Sequence, residues 1–176
     1  MKTIEYRRHA ERAKDADALS PEGRVQAEDV GRTLPDDYAF VFVSPAKRAA
    51  ETVAWFLRAS RQPVPPHAVM QGLASEAEER WRSASKAAGS SRLDAVMTAD
   101  PALVAEESVR LAGVFGDLFE RVPAGTRALA VGHSPLIEAT VYGLLNLVIE
   151  PLRTCEGVLL TLDDGGEYRL EELRLT

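Results

Sequence analysis

Short apolar runs alternate with longer amphipathic stretches along the whole chain. Apolar runs of this kind, enriched in β-branched and aromatic residues and bounded by turn-forming residues, are typical of buried strands. The pattern predicts six strands, over residues 2–8, 38–43, 64–70, 126–132, 156–163 and 167–175. The amphipathic stretches between them predict five helices, over residues 21–34, 45–59, 75–88, 101–121 and 135–147.

Strands that alternate with helices favour a parallel sheet covered by crossover helices. The turn signal at residues 163–166, Asp-Asp-Gly-Gly, predicts that the last two strands form an antiparallel hairpin. We therefore expect an α/β protein, a three-layer α/β/α sandwich with a mostly parallel sheet, in one domain over residues 1–176. Residues 71–100 are polar and rich in small side chains, which predicts a variable insertion over one end of the sheet.

Composition narrows the setting of this domain. The net charge of −6 argues against nucleic acid or an anionic membrane as a partner, because both require a positive surface. Cys155 is the single cysteine, which excludes an internal disulfide and fits a reducing compartment. The start of the chain has no apolar leader, and no run approaches the ~18 apolar residues of a membrane span. We expect a cytoplasmic protein.

Two of the chain's three histidines, His9 and His133, directly follow predicted strands, and Ser44 follows a third. In open α/β sheets, ligands bind outside the carboxyl ends of the strands. Arg8 stands beside the first histidine, and Arg48 lies in the first turn of the helix after Ser44. Guanidinium groups donate paired hydrogen bonds to phosphate oxygens and stay charged at any working pH. The pattern predicts a phosphoryl-binding site without a metal.

Three of the predicted helices open with Ser-Pro, at Ser20, Ser44 and Ser134. A serine in this position can cap free backbone N–H groups, and proline suits the first helical residue. Helix N-termini also carry partial positive charge. We expect the two helix starts near the histidines to add affinity for an anion.

These features occur in four ordered motifs that resemble one known family. The motifs are Arg8-His9-Ala10-Glu11, Leu19-Ser20-Pro21-Glu22-Gly23, Ser44-Pro45-Ala46-Lys47-Arg48-Ala49-Ala50-Glu51-Thr52 and Gly132-His133-Ser134. Together they resemble the histidine phosphatase superfamily, also called the phosphoglycerate-mutase-like family. The alanine after the first histidine looks most like the small phosphohistidine phosphatase branch.

The resemblance implies a role for each candidate residue. His9 would be the nucleophile and would become transiently phosphorylated, and water would then hydrolyse the phosphoenzyme. Arg8, Arg48 and His133 would bind the phosphoryl oxygens and stabilise their charge during transfer. The attacking imidazole must be neutral, so we expect its other ring nitrogen to be hydrogen-bonded to a backbone carbonyl. No cofactor or metal is implied.

The proton donor to the leaving group is less well defined. In the family this group is a carboxylic acid after the third strand, and Glu76 is our first choice, with Glu78 and Glu79 behind it. Glu11, two residues past the nucleophile, could also reach the site and contact substrate. The alternative is that residues 76–79 form the solvated first turn of a helix, where glutamates are favoured.

Three functions remain open from the residues and the resemblance. The first is a phosphatase acting on a phosphorylated small molecule or a phosphohistidine protein, and the second is a phosphoglycerate-type mutase. The third is a non-catalytic protein that binds a phosphorylated ligand. The mutase branch usually carries Thr or Ser and Asn where this chain has Arg12 and Asp15, which favours the phosphatase.

Overall fold

The computed structural model describes residues 1–176 and contains one six-stranded sheet. The strands are β1 (Lys2–Arg8), β2 (Tyr38–Val43), β3 (His67–Val69), β4 (Arg127–Gly132), β5 (Gly157–Leu162) and β6 (Tyr168–Leu173). The helices are α1 (Pro21–Gly31), α2 (Lys47–Ser60), α3 (Glu78–Ala88), α4 (Leu93–Ala99), α5 (Pro101–Arg121) and α6 (Leu136–Leu145), with a 3₁₀ turn at Gln71–Leu73. No helix combines the length and the apolar character needed to cross a membrane.

The strands are ordered β3-β2-β4-β1-β5-β6 across the sheet. The pairs β3–β2, β2–β4 and β4–β1 are parallel, whereas β5 is antiparallel to both β1 and β6. Only β5 therefore runs against the other strands. The predicted α/β fold, with a mostly parallel sheet and a C-terminal hairpin, is confirmed.

Alternating side chains of the central strand β4 build the two halves of the core. Ala128 and Ala130 pack with the cluster that includes side chains of α5 and α6, while Leu129 and Val131 pack with the cluster that includes α1 and α2. Burial of a side chain such as Leu129, which is fully buried, contributes about 1.5–3 kcal/mol. This period of two holds helices on both faces of the sheet and leaves its strand ends free for a site.

The segment predicted as an insertion contains two helices, α3 and α4, with a small core of their own. Trp81, Leu93 and Val96 pack against side chains of α5 and α6, including Leu103 and Leu136. The sequence pattern predicted only the first of these helices, because α4 has only seven residues, which is too short a stretch to show a helical period. These contacts make the segment a packed wall beside the sheet.

Two predicted elements differ in extent from the observed ones. Strand β3 covers residues 67–69 rather than 64–70, because Pro65 and Pro66 have no N–H groups to donate to a neighbouring strand. Helix α2 begins at Lys47 rather than at Pro45. The remaining boundaries differ by a few residues, as is usual at frayed ends.

Only one of the three predicted serine caps is found. Ser20 accepts a hydrogen bond from the Gly23 N–H at 2.9 Å, so this prediction is confirmed. The prediction is wrong for Ser44 and Ser134, whose hydroxyl groups are used in the site described below. The first two N–H groups of α2 donate instead to the carboxylate of Asp17, at 2.9 and 3.2 Å.

Candidate active site

The pairing of β1 with β4 brings the two histidines together. Arg8 is the register partner of Gly132, and the N–H of His9 donates to the Gly132 carbonyl at 3.0 Å. His133 is the next residue, and the two imidazole centroids lie 5.2 Å apart. A side chain at position 132 would collide with the Tyr6 hydroxyl, only 2.6 Å from an ideal Cβ, so glycine is needed at this close approach.

Strand β2 adds the third side of the site. Val43 pairs with Val131, and the N–H of Ser44 donates to the Val131 carbonyl at 3.1 Å. The Ser44 side chain therefore emerges beside His133, with its Oγ 2.7 Å from Nε2 of the imidazole. The first turn of α2 then directs Arg48 towards both histidines.

The guanidinium of Arg48 connects three groups of the site. Its Nε donates to His9 Nε2 at 3.2 Å, and its Nη2 donates to His133 Nδ1 at 3.2 Å. Its Nη1 donates to Asp17 Oδ1 at 2.8 Å. The Asp17 carboxylate thus holds the outer edge of the guanidinium, while the inner edge faces the two imidazoles.

These contacts define the tautomers of both imidazoles. A guanidinium has donors only, so the ring nitrogens that face Arg48 must be acceptors. The proton of His9 is therefore on Nδ1, which donates to the Ala10 carbonyl at 2.7 Å. The proton of His133 is on Nε2, which donates to Ser44 Oγ. The contact of His9 with a backbone carbonyl is the one expected from the sequence.

Both imidazoles are neutral. Burial lowers the pKa of His9 to about 4, and the positive charges of Arg48, Arg8 and Arg12 lower it further. The hydrogen bond to the Ala10 carbonyl opposes this change. Burial also lowers the pKa of His133 to about 3, again helped by Arg48. The Nε2 lone pair of His9 is consequently free of a proton at neutral pH, as a nucleophile requires.

Arg8 supports the site from its interior side. Its Nη1 donates to the Leu152 carbonyl at 2.5 Å, and its Nε is buried without a partner. Burial lowers the pKa of Arg8, although the carboxylates of Glu138 and Glu156 oppose this change. A buried guanidinium with an unused donor is well suited to accept an anion at the histidines.

Glu138 forms a second layer behind His133. Its Oε1 accepts hydrogen bonds from Ser134 Oγ at 2.5 Å and from the Leu152 N–H at 2.9 Å, and its Oε2 is buried without a partner. Burial raises the pKa of this carboxyl group. Because the Leu152 carbonyl accepts from Arg8, the backbone of a single residue connects Glu138 to the arginine.

The histidines open into a cleft of about 320 Å³. Its lining residues come from α2, α3, the start of α6 and the segments that follow β1 and β4 or precede α3: His9, Arg12, Arg48, Ser75, Glu78, Trp81, Arg82, Ser85, His133, Ser134, Pro135 and Leu136. A larger groove of about 740 Å³ beside the ends of α1 and α2 contains none of these residues. No group of three His, Cys, Asp or Glu side chains is placed to hold a metal ion.

Of the four candidate acids, only Glu78 lines the cleft. Glu76, our first choice, is exposed in the turn two residues before the start of α3, and it does not line the cleft. Glu79 points elsewhere and pairs with Arg82 at 2.5 Å. Glu11 accepts a hydrogen bond from Ser20 Oγ at 3.4 Å and is also absent from the cleft lining. Among these carboxylates, the structure therefore places only Glu78 at the cleft.

Sequence reasoning missed three charged residues of the site. Arg12 and Arg82 line the cleft, and Asp17 holds Arg48. Asp15 is exposed and does not line the cleft. Arg82 could have been identified from its spacing of four residues after Glu78 on a helix. Asp17 lies in a loop and contacts a residue distant in sequence, so spacing gives no signal for it.

Comparisons with known proteins place the chain in one family. The sequence profile of the histidine phosphatase superfamily (branch 1) matches residues 4–168. No curated protein sequence matches the chain significantly.

Many solved structures share the fold, among them the following three. Phosphoglycerate mutase from Bacillus anthracis str. Sterne has a TM-score of 0.73 at 21% identity, covering 97% of this chain and 91% of the mutase. Phosphoserine phosphatase from Entamoeba histolytica has a TM-score of 0.72 at 16% identity, covering 100% and 98%. The protein histidine phosphatase SixA has a TM-score of 0.59 at 20% identity, covering 97% and 96%. The profile match over nearly the whole chain shows that this protein belongs to the histidine phosphatase superfamily, branch 1.

Proposed function

We propose that this protein is a metal-independent phosphatase that hydrolyses a phosphorylated substrate through a phosphohistidine at His9. The observation that carries the proposal is the Arg48 guanidinium, which contacts both neutral imidazoles at the end of the cleft. Nδ1 of His9 is occupied by the Ala10 carbonyl, so Nε2 is the nitrogen available for attack.

In the first step, Nε2 of His9 attacks phosphorus and the bond from phosphorus to the leaving oxygen breaks. The Arg48 Nε–H donates a hydrogen bond to this lone pair, and phosphoryl oxygens are better acceptors because they are charged. Binding of the phosphoryl group therefore draws the guanidinium away and exposes the nucleophile. Arg8 and Arg48 then stabilise the charge on the transferring oxygens.

Glu78 is the group we assign to proton transfer. It would donate a proton to the leaving oxygen as that bond breaks. In the second step its carboxylate would take a proton from water while the water oxygen attacks phosphorus and the P–N bond breaks. This restores neutral His9 and the protonated acid, and it releases inorganic phosphate.

The test is a phosphatase panel that includes 3-phosphoglycerate and a phosphohistidine protein, run with and without a chelator. We expect phosphate release by the wild type to be lost in His9→Ala and retained in the matched control His67→Ala, whose imidazole is exposed on β3. Activity that survives His9→Ala would contradict the assignment of the nucleophile. Loss of activity in chelator would contradict the metal-independent mechanism.

The same panel separates the phosphatase from the other functions. A mutase would transfer the phosphoryl group between substrate oxygens and release little inorganic phosphate. A protein that only binds its ligand would release none from any substrate. Glu78→Gln should reduce hydrolysis of alkyl phosphates much more than that of phosphohistidine, because a protonated imidazole leaves without an enzyme acid and only the base of the second step is then missing. Glu76→Gln is the control and should behave as the wild type.

A further inference from the structure

The segment between α6 and β5 holds the end of β1 through its backbone groups. The Leu152 carbonyl accepts from Arg8 Nη1 at 2.5 Å, and the Glu156 carbonyl accepts from the Arg8 N–H at 2.8 Å. The Cys155 N–H donates to the carbonyls of Arg8 and His9, at 3.1 and 3.3 Å. Both the side chain and the backbone of Arg8 are therefore placed by this segment.

This segment adopts a backbone conformation that few side chains tolerate. Cys155 is fully buried and has a φ of +63°, in the left-handed region that favours glycine. Its carbonyl accepts from Arg7 Nη1 at 2.8 Å, so both its N–H and its carbonyl contact the end of β1. Such conformations persist only where the surrounding structure fixes them, and they are common at functional sites. The conformation of residues 152–156 is therefore tied to the position of β1.

Glu138 of α6 connects this segment to the second imidazole. Its Oε1 accepts from the Leu152 N–H at 2.9 Å and from the hydroxyl of Ser134, the residue after His133, at 2.5 Å. Neither donor has another acceptor. One buried oxygen atom thus joins the segment that holds Arg8 to the residue beside His133.

The carboxylate of Glu138 does not meet a ligand in the cleft directly. The residue is only 1% exposed, and it does not line the cleft. Its Oε2 and Arg8 Nε are both buried without a partner, and its negative charge opposes the lowering of the Arg8 pKa by burial. Glu138 can therefore act on a bound anion only through the groups that it holds, and among these Arg8 carries the positive charge.

We infer that Glu138 is a positioning residue, which holds the backbone of Leu152 and thereby keeps the Arg8 guanidinium directed at the phosphoryl group. A guanidinium recognises phosphate through parallel hydrogen bonds of fixed geometry, so a small displacement weakens them. The inference rests on the proposed function, because it takes a phosphoryl group as the ligand of Arg8.

Equilibrium binding of inorganic phosphate tests this role without turnover. Glu138→Asp keeps the carboxylate but is one carbon shorter, so its oxygen cannot reach the donors of both Ser134 and Leu152. We expect the Kd for phosphate to rise about tenfold, the effect of one weakened charge-assisted hydrogen bond, and kcat/KM on a phosphate ester to fall by a similar factor. Glu138→Gln keeps an acceptor oxygen at the same reach and should bind phosphate nearly as tightly as the wild type.

A control and a double-mutant cycle identify the group through which Glu138 acts. Thr140 is another buried polar residue of α6, and its hydroxyl donates to the Leu136 carbonyl at 2.8 Å. Thr140→Val should leave the Kd unchanged. Arg8→Lys keeps the positive charge, so phosphate binding remains measurable, but it lacks the planar fork. In this background Glu138→Asp should change the Kd by less than about twofold, because the guanidinium that Glu138 positions is absent.

A wild-type Kd in Glu138→Asp, with only a lower Tm, would show a purely structural role and overturn the inference. An equal loss of affinity in Glu138→Gln, or in the Arg8→Lys background, would do the same. Each of these outcomes leaves the phosphatase assignment in place if the wild type releases phosphate from a substrate. A protein that shows the expected changes in Kd but hydrolyses nothing would keep the inference and remove the phosphatase assignment.

Discussion

Replacement of Asp17 tests whether the orientation of Arg48 limits catalysis. The Asp17 carboxylate accepts from two N–H groups at the start of α2 and from Arg48 Nη1. In Asp17→Ala the helix start loses its cap and the guanidinium loses the contact on its outer edge. The inner edge, which faces His9 and His133, is then free to rotate.

The expected loss of stability follows from these contacts. Removal of a helix N-cap costs about 1 kcal/mol. The ion pair adds at most about 1 kcal/mol, because the Asp17 side chain is 48% exposed and screened by water. A total of about 1–2 kcal/mol corresponds to a fall in Tm of about 2–8 °C for a chain of this length. Asp17→Asn keeps an oxygen that can cap the helix, so it should lose only the stability contributed by the ion pair.

The pH dependence gives a second check on stability. Burial raises the pKa of Asp17, but hydrogen bonds from Lys47 and Arg48 lower it more, so it lies below the ordinary value of 3.8. A depressed carboxyl pKa adds stability that is present above 3.8 and is lost as pH falls through the lower folded value. The stability difference between wild type and Asp17→Asn should therefore shrink in acid.

Kinetics and thermal unfolding of the wild type, Asp17→Ala and Asp17→Asn decide the role of Asp17. We expect kcat to fall about tenfold in Asp17→Ala, the effect of about 1.4 kcal/mol in the transition state, while KM does not rise. The KM is not expected to rise because removal of a negative charge beside Arg48 favours binding of a phosphoryl anion. A variant with lower Tm but unchanged kcat would show that Asp17 only caps α2 and would refute this reasoning. A Tm equal to that of the wild type would refute the estimate of its contacts.

Two further predictions concern the buried titratable groups. NMR titration should show His9 neutral down to about pH 4 and His133 neutral down to about pH 3. Saturation with inorganic phosphate should raise the pKa of His133. Protonation of both imidazoles near pH 6.5 would contradict the burial argument. Because both pKa values are depressed, stability should fall as pH drops below 6.5, and His9→Ala should remove part of this slope. Glu138→Ala should cost about 2–4 kcal/mol in chemical denaturation, since Ser134 and the Leu152 N–H lose their acceptor. Glu138→Gln keeps an acceptor and removes the charge, so its stability relative to wild type should increase as pH rises above 4.5; a constant difference would mean that the pKa of Glu138 is not raised.

Much of the fold could be predicted because it depends on local patterns. The alternation of residues such as Ala128 and Leu129 in β4 is a property of the strand itself, and it decides which face each side chain occupies. The extent of β3 was not predicted, since the prolines before it remove hydrogen-bond donors from a strand that otherwise looks apolar. Helix α4 was missed because its stability comes from packing against α5 and not from its own seven residues.

The candidate site also contains residues that could be predicted from the sequence and residues that could not. Arg8, His9, Arg48 and His133 could be named from the sequence because each is adjacent to the end of a strand or the start of a helix, and parallel strands bring such positions to one edge. Ser44 and Ser134 were wrongly predicted as caps, since their hydroxyl groups find stronger partners in His133 and Glu138. Long-range contacts of this kind cannot be derived from local spacing.

The sequence by itself determined the order of the elements and identified the two histidines and two arginines that the structure brings to one edge of the sheet. Only the tertiary structure decided the tautomers of His9 and His133, the contact of Asp17 with Arg48, and the position of Glu78 rather than Glu76 in the cleft lining. The physical reason is that strand ends are placed by hydrogen-bond register, which the local pattern encodes. The face of α3 that lines the cleft is placed by the rotation of α3 about its own axis, and packing of Trp81 against α5 and α6 sets that rotation.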